Sequence, residues 1–283
     1  MEFETEEGSS FNIIVSIKGQ GFLEDLGDDG DGEEERFFKT AIISSHYDTP
    51  FYEDDLLEMP DYDGIHDNAS ANGALISIAK TLRGRKYNYD IELIFFGAGH
   101  EDFKGAREYV SALTPSQIED IDVVYCIDSI YAGDKLYAHS GLNSLEEGNK
   151  YKKRRKLYEL SDVALANGID LRFNESDLDI DLNGDDIPDV YREVTSRVSD
   201  FSVFDELGIS CVYIESYEYF TSSIFDQCES KNPYFGETGG MVRETGFDSS
   251  KFLSEVLEEG RLDKRIKNVA FLVVNALEKG VYR

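Results

Sequence analysis

An α/β fold, three layers deep with a central, mostly parallel mixed sheet, is predicted by three observations. Apolar β-rich runs alternate with helical patterns along the whole chain. Several of those runs are apolar on nearly every residue, as strands buried on both faces are. The 283 residues are 41% hydrophobic, enough for a large core, so the net charge of −30 marks a hydrated surface rather than a disordered chain.

In chain order, the strand patterns are 12–18, 39–45, 90–97, 122–130 and 210–215. The helical periodicities are 69–82, 104–113, 153–166, 250–257 and 263–279. Two acidic stretches, 23–35 and 51–63, read as loops. A longer segment, about 142–197, reads as an insertion between core strands. With no internal repeat and no Pro-rich linker, residues 1–283 are expected to form one domain carrying that insertion.

The charge excludes several function classes. A pI near 4.3 argues against nucleic acid and against anionic lipid, both of which need a basic surface. No apolar stretch approaches the ~20 residues of a membrane span, and the first residues lack a basic start followed by an apolar run. Cys126, Cys211 and Cys228 are odd in number and widely spaced, and the first two sit in apolar runs as small core residues do. The expected setting is cytoplasmic.

In a parallel sheet, sites gather at the carboxyl ends of the strands, so the polar residues that follow strands are the candidates. The run 39–45 leads into His46-Tyr47-Asp48, an imidazole and a carboxylate two residues apart on one side of the chain. Asp67-Asn68 opens the helix 69–82, and taken alone reads as an N-cap. Gly99-His100-Glu101-Asp102 puts three titratable side chains at one strand end. Asp128 lies inside an apolar strand, where an unpaired carboxylate is expensive. A metal ion satisfies all these acids together.

The stretches SSHYDTP, GIHDNASANGALISIAKTL, IELIFFGAGHEDFKGAREYV and VVYCIDS, in this order, resemble the M28 family of co-catalytic zinc aminopeptidases. SDFSVFDELGISCVYIES is also similar to that family's strand-and-helix segment, so the resemblance runs over roughly residues 12–248. It implies a zinc-aminopeptidase-like fold, two divalent ions, and hydrolysis of the N-terminal peptide bond of a short peptide, the expected partner. By position, His46 and Asp128 hold one ion, expected to be Zn²⁺. Asp67 bridges the two, and Asp48 orients His46. Two ions about 3.5–4 Å apart activate a water and stabilise the developing oxyanion.

The chain departs from that pattern in two places. The family's Glu-Glu pair, base then ligand, falls on Gly99-His100-Glu101-Asp102, and two registers are open. In the preferred one Glu101 is the ligand and His100 the catalytic base. In the other Glu101 is the base and Asp102 the ligand. The family's late His is replaced by Glu244 in Glu244-Thr245-Gly246-Phe247-Asp248-Ser249. The second ion then sees Asp67, Glu101 and Glu244, all oxygens, which opens that site to Mn²⁺ or Mg²⁺ as well as Zn²⁺. These changes keep two other readings open: a catalytically impaired metal- or peptide-binding relative, and glutaminyl-cyclase-like acyl transfer.

Three other features draw separate expectations. Asp181, Asn183, Asp185, the Ile187 carbonyl and Asp189 alternate around Gly184 as the ligands of a structural Ca²⁺ loop do. The basic run 150–156 is expected to be a solvated helical face paired with acids. His66 is expected in the pocket wall, and His139 in a structural role.

Overall fold

The alternation of side chains along β6 (Thr40–His46) sets the layers: Ala41 and Ile43 point to one face of the sheet, Ile42 to the other. The same two-residue period runs through β7 (Asp90–Phe96), β8 (Ile121–Ile127) and β11 (Cys211–Tyr217). On the first face pack α1 (Ser70–Leu82), α4 (Lys150–Asn167) and α7 (Arg261–Leu277). On the second pack α2 (Lys104–Ser111) and the short α5 (Phe201–Asp205). The computed structural model describes residues 1–6, 8–24, 35–49, 61–146, 150–173, 193–221 and 226–281.

The main sheet has seven strands in the order β10-β9-β11-β8-β6-β7-β3, where β3 is Ile13–Ile17, β9 Lys135–His139 and β10 Leu171–Arg172. Four neighbouring pairs are parallel; only β3 with β7 and β9 with β11 run antiparallel, so the sheet is mixed and mostly parallel. Because β7, β6, β8 and β11 are mutually parallel, residues 46, 97–102 and 128 emerge along one edge. The strand β9, with only five residues, was not visible as a pattern. Nor were β10, α5, the hairpin of β1 (Glu2–Thr5) and β2 (Gly8–Phe11), the antiparallel pair β4 (Phe22–Leu23) and β5 (Arg36–Phe37), or α3 (Pro115–Asp120), which opens on a Thr114 and Gln117 capping box. The run 250–257 forms α6 (Ser250–Val256).

The basic run opens α4, but its expected solvated face is partly interior. Arg154 and Lys156 are 2% and 5% exposed. The Arg154 guanidinium donates to Ser144 Oγ at 3.1 Å and to Glu193 at 3.2 Å. Lys156 donates to Tyr89 OH at 2.9 Å and lies 3.2 Å from Asp122. Long aliphatic stems can enter a core when the charged heads meet fixed partners. The three cysteines are free and buried. Among the described residues no helix is long and apolar enough to cross a membrane. The Ca²⁺-loop residues Asp181, Asn183, Asp185, Ile187 and Asp189 lie outside the described residues, as do 25–34 and 51–60 of the acidic loops.

Candidate metal centre

His46 ends β6 with its ring 7% exposed, and its two nitrogens meet different partners. Nδ1 lies 3.0 Å from the Asp48 backbone carbonyl and donates its proton there. Nε2 points inward, 3.2 Å from Asp67 Oδ1 and 3.8 Å from Asp128 Oδ1. Although burial alone lowers the imidazole pKa, contacts with Asp128 and Asp67 hold it well above its usual value. Asp67 Oδ1 is buried and makes no hydrogen bond. A buried carboxylate oxygen without a donor, facing an imidazole nitrogen, suits a divalent cation.

The Asp67 loop is a five-residue π-type turn, Ile65–Ala69, with a cis peptide between Asp67 and Asn68. Neither residue caps α1 with its side chain, so the N-cap reading of this motif does not apply. Asn68 Oδ1 accepts the Ser129 N–H at 2.9 Å and Ser70 Oγ the Ile130 N–H at 3.3 Å. These bonds tie the loop to the segment that follows Asp128. From the opposite side, the Asp248 carboxylate accepts the N–H groups of His66 and Asp67 at 2.7 and 3.0 Å.

Asp128 receives hydrogen bonds from Ser199 and Ser129 at 2.8 Å each, and from the Tyr213 hydroxyl at 3.2 Å. Burial pushes its carboxyl up, but the Arg243 guanidinium and the His46 imidazole outweigh this and hold it well below the usual range. The neighbouring Asp200, fully buried, is pushed up to about 7 by burial and by the Asp128 and Asp48 charges, against the pull of His46.

In the turn after β7, His100 is the side chain brought to His46 and Asp67. Among the described residues, the one group of three whose ligand atoms all lie within 4.8 Å of one another is His46, Asp67 and His100. The His100 ring stands edge-on to His46, centroids 5.0 Å apart, and its Nδ1 is 3.6 Å from Glu244 Oε1. Glu101 does not reach the group: its carboxylate accepts the Glu6 N–H at 3.2 Å. Asp102 is 79% exposed and pairs with Arg107 at 3.1 Å. The cause is a tertiary contact: Asp48 accepts the N–H groups of Gly99 and His100 at 2.7 and 3.1 Å, which sets the His100 side chain toward His46 and the next two away from it. The Asp48 carboxylate thus fixes this turn, while its carbonyl orients His46.

With His100 in the group, the residue before it is Gly99, which offers no side chain for acid–base work. A Cβ at Gly99 lies 2.7 Å from His46 Cβ. Gly99→Ala is therefore expected to displace the imidazole and to cost about 1–3 kcal/mol, as overpacking does. Thermal unfolding and metal titration check this; wild-type Tm together with wild-type metal affinity refutes it.

Glu244 sits at positive φ, 57°, with its side chain 58% exposed at the rim. His66 is fully buried rather than part of a pocket wall. Its Nδ1 accepts the N–H groups of Tyr131 and Ala132, and its Nε2 faces Glu229 at 3.3 Å. His139, also fully buried, lies 3.4 Å from Glu215 between tyrosines. Glu215 and Glu229, both fully buried, form with Arg197 and Arg243, 21% and 14% exposed, a charge cluster that sequence reasoning missed. Only Glu215, at the end of an apolar run, carried a sequence signal.

Residues 31–233 match the profile of Peptidase family M28. The chain is 25% identical over 207 residues to the alkaline phosphatase isozyme conversion protein of Escherichia coli K12, covering 73% of this chain and 55% of that protein. Its fold is similar to that of BSAP, a zinc aminopeptidase from Bacillus subtilis, with TM-score 0.60, 18% identity, and coverage of 98% and 52%. It is also similar to that of an Acidobacteriales bacterium glutaminyl cyclase, with TM-score 0.60, 15% identity, and coverage of 99% and 78%. The chain thus spans little more than half the length of the first two.

Proposed function

The chain belongs to peptidase family M28, and from that premise we propose that it is a metal-dependent aminopeptidase acting on short peptides. One observation carries the reading: the buried His46 Nε2 and the undonated Asp67 Oδ1 face each other at 3.2 Å beside His100. His46 and Asp128 would hold one ion, Asp67 would bridge, and His100 with Glu244 would complete the second. This replaces Glu101 by an imidazole, so the second set is one nitrogen and two carboxylates instead of oxygens alone. Such a set suits Zn²⁺ as well as Mn²⁺. Bound there, the ions supply Lewis acidity and lower the pKa of a water.

The chain's own residues do the positioning. Asp48 holds His46 and the His100 turn together, and Asp248 holds the Asp67 backbone. No carboxylate from the β7 turn serves as base, because Gly99 has none and Glu101 and Asp102 point away. Turnover is therefore expected to fall short of a base-equipped enzyme by the ~10²–10⁴-fold that general-base catalysis contributes. The same observation favours, as a second reading, a relative that binds metal and peptide with little turnover.

A Zn²⁺ or Mn²⁺ titration coupled to hydrolysis of an aminoacyl-anilide tests the proposal. Two ions per chain are expected, with hydrolysis only in their presence. In the metal-free chain the Asp128 and Asp67 carboxylates raise the His46 pKa, so protons compete with ions for its Nε2. Ion affinity should therefore rise with pH through the range in which His46 titrates. Tight binding without turnover selects the second reading, and ammonia release from an N-terminal Gln peptide selects acyl transfer. A chain that takes up no ion overturns them all.

A further inference from the structure

We infer that Glu229 is a positioning residue of the second ion site, one carboxylate that sets the distance between Asp67 and Glu244; the inference rests on the metal-centre reading above. Glu229 is fully buried, so no solvent replaces the contacts it makes. Its Oε2 accepts the N–H groups of Val242 and Arg243 at 2.5 and 2.9 Å. Its Oε1 accepts Arg243 Nε at 2.5 Å and faces His66 Nε2 at 3.3 Å.

The tautomer of His66 follows from its other side. Nδ1 accepts two backbone N–H groups, from Tyr131 and Ala132 at 3.3 and 3.2 Å, so it carries no proton. The ring proton therefore sits on Nε2, the nitrogen turned toward Glu229. His66 directly precedes Asp67, and Arg243 directly precedes Glu244. One carboxylate therefore reaches the neighbour of each proposed ligand.

The reach is reciprocal. Asp248, four residues beyond Glu244, accepts the N–H groups of His66 and Asp67. The segment 242–248 is thus fastened to the Asp67 loop at one end by Asp248 and at the other by Glu229. Glu244 needs that fastening, because its positive φ of 57° is disfavoured for a residue with a Cβ. The other ion's residues have anchors of their own: His46 is held by Asp48, and Asp128 by Ser129 and Ser199, so Glu229 reaches Asp128 only through the Arg243 charge.

The two sites should therefore respond differently to Glu229. Glu229→Gln puts an amide that donates in front of groups that also donate. It should weaken the second site by the ~10–100-fold typical of lost outer-sphere contacts, and weaken the first less, since the first shares only Asp67 and the Arg243 charge with Glu229. The readout is a Co²⁺ titration of the full chain followed by visible absorption, which resolves two binding steps and reports ligand geometry at each. Glu229→Asp keeps the charge on a shorter stem and should fall between wild type and the Gln variant.

Two wild-type binding steps in Glu229→Gln, with unchanged spectra, overturn the inference while leaving the metal-centre reading intact. Equal weakening of both steps also overturns it, because it marks a general structural role. Loss of folding in both variants by circular dichroism has the same force. A wild-type chain that binds fewer than two Co²⁺ ions overturns the two-ion reading, and the inference with it.

Discussion

Asp67→Asn is expected to lose both ions, and with them all metal-dependent hydrolysis. Asp67 is the one carboxylate whose oxygen faces the imidazole nitrogen of His46 without a donor of its own. It also lies within ligand distance of both His46 and His100. The asparagine keeps the size and one carbonyl oxygen but removes the charge that the two proposed cations would share. The loss should exceed the ~10–100-fold that accompanies a change outside the ligand set. Ions per chain, counted by competition with a chromophoric chelator, check it. The same variant removes one of the two carboxylates that raise His46, so that imidazole should titrate at lower pH, visible by proton NMR. Wild-type ion content in Asp67→Asn rejects Asp67 as the shared ligand.

His100→Ala is expected to take the chain from two bound ions to one, and Glu101→Ala to leave two. The ring of His100 belongs to the His46 and Asp67 group, whereas the Glu101 carboxylate is occupied by the N-terminal hairpin. If His100 were the base, its loss would lower kcat by ~10²–10⁴-fold with both ions still in place. If Glu101 were the ligand, that variant would be the one to lose an ion. Ion stoichiometry and kcat, measured on the two variants side by side, separate these outcomes. One ion in His100→Ala and two in Glu101→Ala establish the arrangement drawn from the structure.

Much of the architecture was legible because buried parallel strands and amphipathic helices write their periods into the chain. The runs 39–45, 90–97 and 122–130 are all strands to within a few residues, and candidate ligands lie near their carboxyl ends: His46 directly after the first, His100 three residues past the second, Asp128 inside the end of the third. His46 and Asp128 could be singled out because a titratable group at the end of an apolar strand is costly without a partner. Asp67 needed the resemblance, since in isolation an Asp before a helix reads as a cap. Short elements were legible unevenly: β3 shows a strand pattern in five residues, whereas β9 and α5, of the same length, do not.

The layers, the end of the sheet where the candidate ligands gather, and the departure of two positions from the family's pattern are all written in the sequence. Which side chains of Gly99-His100-Glu101-Asp102 turn inward was decided only by tertiary structure. Consecutive side chains in a turn obey no fixed period, and their direction is set by Asp48, about fifty residues away in sequence, accepting two backbone N–H groups. The same holds for Glu229 and Arg243. Glu229 is buried and Arg243 largely covered because 229, 243 and 66 meet in space, and no local pattern encodes that meeting.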